Sequence, residues 1–279
     1  DTERQLALHT QRIEKELEEK RQNLLKAQEI QKKLNTQVLP VKSNMNLAAF
    51  YCPSEEVGGD FFSVYSFGEK IVILIGDCEG HGIEAAMDSV LAKAICDRYL
   101  YLLEEEKLSE FLLSVSHKTM EYFLQEKYLT LMVCSINLKT KELKYANANS
   151  ELPYIIRKNQ ATRFEITKGY HIGFLKDDFF EEKTIQLKDH DWVFLYSDAI
   201  KEMQNPEGLV FGFKNIEHLL NTPVHSDVEK KLETMVQKAK EFHGDFPLKD
   251  DCTLIAFQIL PDFIEKYFLT QDTLFETIT

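Results

Sequence analysis

The sequence is poor in cysteine and has no long hydrophobic run. Its five cysteines show none of the paired spacings that indicate zinc ligation or a disulfide framework, which favours a reducing compartment. No apolar segment approaches the roughly 18 residues needed to cross a bilayer, and no signal-peptide pattern opens the chain. We therefore expect a cytoplasmic protein, or the cytoplasmic part of a longer sensor, without membrane contact of its own. The cysteines are Cys52, Cys78, Cys96, Cys134 and Cys252.

Long blocks of basic residues are also missing. The net charge is -13, from 46 acidic and 33 basic side chains, so the chain as a whole repels a phosphate backbone. This balance argues against nucleic acid as a partner. With 44% hydrophobic residues, the 279-residue chain can still bury a substantial core.

Residues 1–39 contain no glycine or proline and are rich in Glu, Lys, Gln and Leu, which predicts a long helix that ends at Pro40. A seven-residue repeat makes seven of its ten seam positions apolar. Two interpretations stay open, a coiled coil that makes a homodimer and a single amphipathic helix lying on the domain. The seam positions are Leu6, Thr10, Ile13, Leu17, Lys20, Leu24, Ala27, Gln31, Leu34 and Val38.

After Pro40, the pattern changes to short apolar runs separated by turns. Many connections are only a few residues long, which favours antiparallel meanders. We predict that residues 40–279 form one α+β domain, a sandwich of β-sheets with helices outside. Helices are predicted at 82–103, 107–126 and 226–242, and strands at 45–52, 61–67, 70–76, 129–138, 142–147, 153–157, 161–166, 182–187, 191–197 and 252–260.

Residues 58–82 predict a β-hairpin with a tight turn at Gly68-Glu69. Asp60 precedes its first strand and Asp77 follows its second, at nearly equal distances from the turn. Antiparallel pairing should therefore place the two carboxylates side by side, where they repel each other unless a cation binds.

Two further strands add carboxylates. Asp198 follows one strand, and the pair Asp250-Asp251 precedes another. A single aspartate at a strand end is usually a turn or cap residue, but the joint pattern favours a site for Mg²⁺ or Mn²⁺, which prefer oxygen ligands. Gly58 and Gly59 allow close approach of the backbone.

Four ordered motifs resemble the SpoIIE/RsbU-type branch of the metal-dependent (PPM) serine/threonine protein phosphatases, over residues 40–260. They are residues 56–62 (EVGGDFF), 76–82 (GDCEGHG), 195–202 (LYSDAIKE) and 250–254 (DDCTL). The resemblance implies a sandwich of two antiparallel β-sheets flanked by helices, with two Mn²⁺ or Mg²⁺ ions at one end and a water as the nucleophile.

Carried over by position, the resemblance implies a set of catalytic metal ligands made of side chains and one backbone carbonyl, that of Cys78. Around them, Asp251, Gly59 and His81 are expected to support the ligands, and His81 is also considered as a ligand or general acid. The implied ligand side chains are Asp60, Asp77, Asp198 and Asp250.

The implied substrate is a phosphoserine or phosphothreonine on a bacterial anti-anti-sigma regulator of the STAS type, in a partner-switching pathway. The sequence departs from the family pattern at Ser63, at Ala148-Asn149-Ser150-Glu151 and at Ala199. We expect these departures to affect substrate range and turnover.

Three other functions are weighed against this one. An inactive phosphatase-fold module that binds a partner would keep the fold without turnover, and a small-molecule phosphatase would use the same chemistry. Residues 58–62 (GGDFF) also resemble the signature loop of diguanylate cyclases, but that interpretation leaves the other three aspartate motifs unexplained. Residues 262–279 alternate apolar and polar side chains, which is compatible with a helix docked on the domain or a swapped segment.

Overall fold

The computed structural model describes residues 2–35, 42–124, 127–176, 178–223, 227–244 and 248–261. Seven helices and ten strands are assigned in them. The helices are α1 (Thr2–Asn35), α2 (Gly82–Arg98), α3 (Leu100–Glu104), α4 (Leu108–Tyr122), α5 (Ala199–Glu202), α6 (Gly212–Asn221) and α7 (Val228–His243). The strands are β1 (Met45–Cys52), β2 (Asp60–Phe67), β3 (Lys70–Cys78), β4 (Leu129–Asn137), β5 (Glu142–Ala148), β6 (Tyr154–Arg157), β7 (Gln160–Arg163), β8 (Glu182–Gln186), β9 (Trp192–Tyr196) and β10 (Cys252–Ile259).

The strands form two five-stranded antiparallel sheets. One has the order β1-β10-β9-β6-β7 and the other the order β2-β3-β4-β5-β8. Short hairpin connections join β2 to β3, β4 to β5 and β6 to β7, as antiparallel meanders require. The α+β sandwich flanked by helices is therefore confirmed.

Three apolar layers hold the sandwich together, and β3 shows why its sequence is almost continuously apolar. Ile71, Ile73 and Ile75 point between the sheets, while Val72 and Leu74 pack beneath the helices that follow. All five are at most 2% exposed. Each such side chain contributes roughly 1.5–3 kcal/mol relative to an exposed one. The third layer packs α5, α6 and α7 against the outer face of the other sheet.

Some predicted boundaries were wrong. The predicted helix 82–103 is two helices, because Tyr99 leaves helical geometry and its N–H donates to the Cys96 carbonyl at 3.0 Å. Strands β2 and β3 include Asp60 and Asp77, since the ladder continues to the carboxylates. Helices α5 and α6 were not predicted, because they are too short to show a clear helical period.

Helix α1 is confirmed as a long helix up to Asn35, whereas the predicted end at Pro40 and the division at residues 39 and 40 lie outside the described residues. Leu6 and Leu17, two of the predicted seam residues, are 67% and 60% exposed. Gln31 is instead buried against the domain.

None of the helices described combines the length and the apolar character that a bilayer crossing requires.

Candidate metal centre

The β2–β3 hairpin places Asp60 and Asp77 directly opposite each other. Its antiparallel register pairs these two residues and continues through Phe67 and Lys70 to a two-residue turn. Gly68 has φ +61° in that turn, a conformation that glycine adopts without strain. Asp60 is 1% exposed and Asp77 is half-buried. The hairpin, and with it the neighbouring position of the two carboxylates, is confirmed.

The other sheet meets this hairpin through a hydrogen-bond network. The Thr253 hydroxyl donates to Asp60 Oδ2 at 2.6 Å. The Thr253 N–H in turn donates to Ser197 Oγ at 2.9 Å, and that hydroxyl donates to the Asp251 carbonyl at 3.0 Å. Because β10 is antiparallel to β9, the end of β9 and the start of β10 meet here. The end of β9 and the start of β10 therefore lie beside the β2–β3 hairpin at one end of the sandwich.

Burial and the charges of neighbouring carboxylates raise the pKa values of four aspartates at this end. Burial, followed by the charges of Asp198 and Asp250, raises the pKa of Asp77 to about 8. Burial and then Asp250 raise the pKa of Asp198 to about 6. Burial and then Asp77 hold the pKa of Asp60 well above its usual range, and burial raises that of Asp250. We call these four side chains the carboxylate cluster.

Asp251 has a separate role, because its carboxylate holds the backbone that leads into β2. Oδ1 accepts hydrogen bonds from the Ser54 N–H at 2.7 Å and the Ser54 hydroxyl at 3.1 Å. Oδ2 accepts from the N–H groups of Gly59 and Asp60. A carboxylate that binds several backbone donors fixes a loop strongly. Asp251 therefore positions Asp60.

The two glycines before Asp60 are required by this packing. A Cβ atom on Gly58 would lie 2.2 Å from Asp251 Oδ2, and one on Gly59 would lie 2.9 Å from the Cys78 carbonyl oxygen. Both distances are too short for a real side chain. The glycines therefore let the loop approach the Asp251 carboxylate and the end of β3.

The donor chemistry of this end fits hard cations. Its side chains offer carboxylate oxygens, the ligand type that Mg²⁺ and Mn²⁺ prefer, and burial followed by repulsion between carboxylates raises their pKa values. Within the described ranges, no three His, Cys, Asp or Glu side chains are arranged closely enough to hold a metal ion as they stand. The fit therefore rests on donor type and charge, and the ligand roles, including that of the Cys78 carbonyl, stay predictions.

Sequence reasoning missed one nearby acid, Glu202. After burial and the charges of other aspartates, the charge of Glu202 also contributes to the raised pKa values of Asp77, Asp198 and Asp250. Glu202 lies four residues after Asp198, so a single turn of helix, α5, brings it back beside the cluster. The helical spacing in LYSDAIKE is the sequence signal that identifies it.

Sequence reasoning also missed the contact between α1 and the loop before Asp60. The Gln31 side-chain amide donates to the Gly58 carbonyl at 2.6 Å, and its oxygen accepts from the Gly58 N–H at 3.1 Å. The amide also donates to Ser89 Oγ at 3.1 Å. Gln31 occupies a predicted seam position, so this part of the seam faces its own domain.

His81 lies at the surface, in the position before the first residue of α2. Its Nδ1 is 2.9 Å from Glu55 Oε1, and its side chain makes no capping hydrogen bond to the helix. The charge of His81 lowers the pKa of Asp250 slightly, as the last of several influences. The contact with Glu55 ties the loop before β2 to the start of α2.

The residues that depart from the family pattern are compatible with the local backbone conformation and burial at their positions. Asn149 has φ +57°, a conformation that asparagine tolerates better than most residues, and its amide lies 2.7 Å from His171 Nε2. Ala199 is the first residue of α5, and its methyl group is buried. Ser63 is fully buried, at a position where a carboxylate would need a partner.

Comparison with known proteins finds distant relatives of this chain. "Phosphoserine phosphatase RsbU" of Bacillus subtilis is 22% identical over 235 residues, which are 83% of this chain and 68% of RsbU. "Protein IcfG" of Synechocystis is 21% identical over 268 residues, 85% of this chain and 41% of IcfG. The chain thus spans less than half of that second relative.

Two solved structures share the fold. The SiaA-PP2C domain of Pseudomonas aeruginosa has a TM-score of 0.76 at 20% identity and covers 87% of this chain and 97% of its own. RsbX in complex with magnesium has a TM-score of 0.59 at 14% identity and covers 79% and 98%. The family model of stage II sporulation protein E (SpoIIE) matches residues 68–260. The chain belongs to the SpoIIE family.

Proposed function

We propose that this chain is a metal-dependent phosphatase that removes phosphate from phosphoserine or phosphothreonine on a bacterial regulatory protein. The observation that carries the proposal is the cross-strand pair of Asp60 and Asp77, which shares one end of the sandwich with Asp198 and Asp250. A buried group of like charges costs stability, and its value lies in binding cations.

In this proposal, the carboxylate cluster and the Cys78 carbonyl hold two Mg²⁺ or Mn²⁺ ions. Such a pair of ions lowers the pKa of a water and neutralises phosphoryl oxygens. The chain itself positions the ligands. Thr253 orients Asp60 by its 2.6 Å hydrogen bond, and Asp251 fixes the backbone on either side of Gly59.

The substrate class rests on the relatives. RsbU is named a phosphoserine phosphatase, and the RsbX structure contains magnesium. The resemblance stated from the sequence adds a phosphorylated STAS-type regulator in a partner-switching pathway as the substrate. The activity needs no nucleophilic Ser, Cys or His, which agrees with raised thiol pKa values at Cys78 and Cys252.

The test is phosphate release from a phosphoserine-bearing STAS protein, with Mn²⁺ and with a chelator. Wild type is expected to release phosphate only with Mn²⁺, and Asp198→Asn to lose this activity. Asp189→Asn is the matched control, because Asp189 lies at the other end of the sandwich in an ion pair with Lys141. Mn²⁺ binding by wild type without any phosphate release would favour a non-catalytic binding module.

We further propose that α1 pairs two chains through its first four turns. Leu6, Ile13 and Leu17 are exposed in the single chain and lie on the predicted seam. Light scattering at micromolar concentration is expected to give a dimer, and Leu17→Glu a monomer. A monomeric wild-type chain with α1 intact would contradict the dimer and leave the phosphatase proposal unaffected.

A further inference from the structure

A cavity of about 1190 Å³ opens at the end of the sandwich opposite the carboxylate cluster. It lies among the β6–β7 turn, the loop from β8 to β9 and the last residues of β10. Its walls include the rings of Tyr145, Phe164 and Trp192, together with apolar side chains of β6 and β8. The cavity is large enough for a peptide segment or a small molecule.

The lining of this cavity is basic, although the whole chain is acidic. Six Lys or Arg side chains and three Asp or Glu side chains line it. Each carboxylate has its own cation: Asp191 pairs with Arg157 at 2.6 Å, Glu165 with Lys183 at 2.8 Å and Asp189 with Lys141. Three lining ammonium groups have no carboxylate partner among the residues described, namely those of Lys158, Lys188 and Lys231.

Lys231 is the most informative of these three. It is 5% exposed, its Nζ donates to the Leu220 carbonyl at 2.9 Å, and it lies 5.2 Å from the centre of the Trp192 ring. A buried ammonium group is costly without an anion nearby. The cavity thus combines aromatic walls with cations that lack carboxylates, which suits an occupant that is both apolar and acidic.

The chain carries such a segment directly after β10. The Ile259 N–H donates to the Asp191 carbonyl at 3.0 Å, and the His190 N–H donates to the Ile259 carbonyl at 2.8 Å, so β10 ends at the rim of the cavity. Residues 262–279 follow. They contain four carboxylates, one lysine and four aromatic rings, at Phe263, Tyr267, Phe268 and Phe275.

We propose that this cavity binds the C-terminal segment, residues 262–279, of the same chain. The carboxylates of the segment face Lys158, Lys188 and Lys231, and its aromatic side chains pack on the apolar walls. The covalent link from Pro261 keeps the local concentration of the segment high, so a weak intrinsic affinity is enough for binding.

Trp192 makes the proposal directly testable, because it is the only tryptophan of the chain and lines the cavity. The experiment compares the full chain with a chain ended after Pro261. On truncation, Trp192 emission is expected to shift to longer wavelength and its quenching by acrylamide to increase. A synthetic peptide of residues 262–279 is expected to reverse both changes saturably. Equal emission and equal quenching in the two chains would overturn the proposal.

Charge variants of the full chain test the same site without truncation. Lys158→Glu with Lys188→Glu should expose Trp192 as the truncation does. Lys176→Glu with Lys214→Glu makes the same change of charge at exposed lysines away from the cavity and should have no effect. Circular dichroism melting establishes that every variant is folded. An unchanged Trp192 in the folded cavity variant would count against the proposal.

A peptide with Asn or Gln at its four carboxylates should bind the truncated chain about tenfold more weakly, the value expected for the loss of three partly exposed charge pairs. Pyrophosphate or ATP serves as the alternative probe. If either one shields Trp192 in the truncated chain and the peptide does not, the cavity is a site for phosphorylated small molecules and the proposal is wrong.

Discussion

The carboxylates at the two ends of the sandwich have different surroundings: those at one end lie beside other carboxylates, and those at the other end are paired with basic side chains. At one end, Asp60 and Asp77 face each other and form no ion pair with a Lys or Arg side chain among the described residues, and burial together with the charges of neighbouring carboxylates raises their pKa values. At the other end, the buried Asp191 carboxylate accepts from both Nε and Nη2 of Arg157. Strands β9 and β10 run between the two ends. The ion pair of Asp191 and Arg157 stabilises the fold, whereas the carboxylates of Asp60 and Asp77 lower its stability and are proposed to serve metal binding.

The comparison predicts its largest effect at Asp77. Asp77→Asn should lower Mn²⁺-dependent hydrolysis of an aryl phosphate by about 100-fold or more, because loss of a residue that only supports a metal ligand already costs roughly 10–100-fold and Asp77 is proposed as a ligand. The metal-free protein should be at least as stable as wild type, since the change removes repulsion. Initial rates and thermal unfolding measure the two effects. Unchanged rates in the variant would show that hydrolysis does not depend on the carboxylate cluster.

Gly58→Ala should disturb the same end through the backbone. The new Cβ would collide with the Asp251 carboxylate, and overpacking of this kind costs about 3 kcal/mol. Gly68→Ala is the control: its Cβ would meet nothing within 4 Å, and its positive φ costs only about 1 kcal/mol. Urea unfolding compares the two. Equal losses would show that Asp251 does not require the close approach of Gly58.

Asp191→Asn removes a carboxylate at the opposite end of the sandwich and should affect stability rather than activity. Asp191 accepts hydrogen bonds from Arg157 and from the Lys188 N–H at 2.7 Å, so the loss of its charge should lower the free energy of unfolding by about 2 kcal/mol. Its phosphatase rate below the melting temperature should stay that of wild type. A rate loss as large as that of Asp77→Asn would break the division between the two ends.

The comparison also predicts how the stability of the metal-free protein depends on pH. The fold raises the pKa of Asp77 from 3.8 to about 8, so the metal-free folded state holds a proton that the unfolded state releases above pH 4. The melting temperature in chelator should therefore fall as pH rises from 4 to 8 and level off above that. Mn²⁺ should reverse the trend near pH 8. Asp77→Asn should flatten the chelator curve, and a steep curve in that variant would assign the trend to other groups.

The comparison also shows what sequence patterns could predict. All ten predicted strands are present, because each is a short apolar or alternating run bounded by turn residues, and the Gly68 turn sets the register that pairs Asp60 with Asp77. Helices α5 and α6 were missed because a helix of one to three turns gives too short a periodic signal. Glu202 went unassigned for the same reason, since its position depends on α5.

Gln31 shows that the seven-residue repeat of α1 does not predict which surface its residues contact. Its place in the seven-residue repeat was compatible with a seam contact to a second chain or with packing on the domain, and its amide binds both backbone groups of Gly58. A repeat identifies which residues share a helix face but not which surface covers that face. That surface is determined by how α1 packs on the domain.

By itself, the sequence determined the strands, the hairpin register and the residue types that gather at the strand ends, because apolar alternation and turn glycines act over a few residues. The family resemblance implied different roles for Asp250 and Asp251, but only the tertiary structure revealed the contacts by which Asp251 acts. Asp250 and Asp251 are neighbours in sequence, yet the Asp251 carboxylate binds the backbone before β2, while Asp250 interacts with the charges of the cluster. That division arises because the two sheets close over each other, and contacts between distant segments are not encoded in any local pattern.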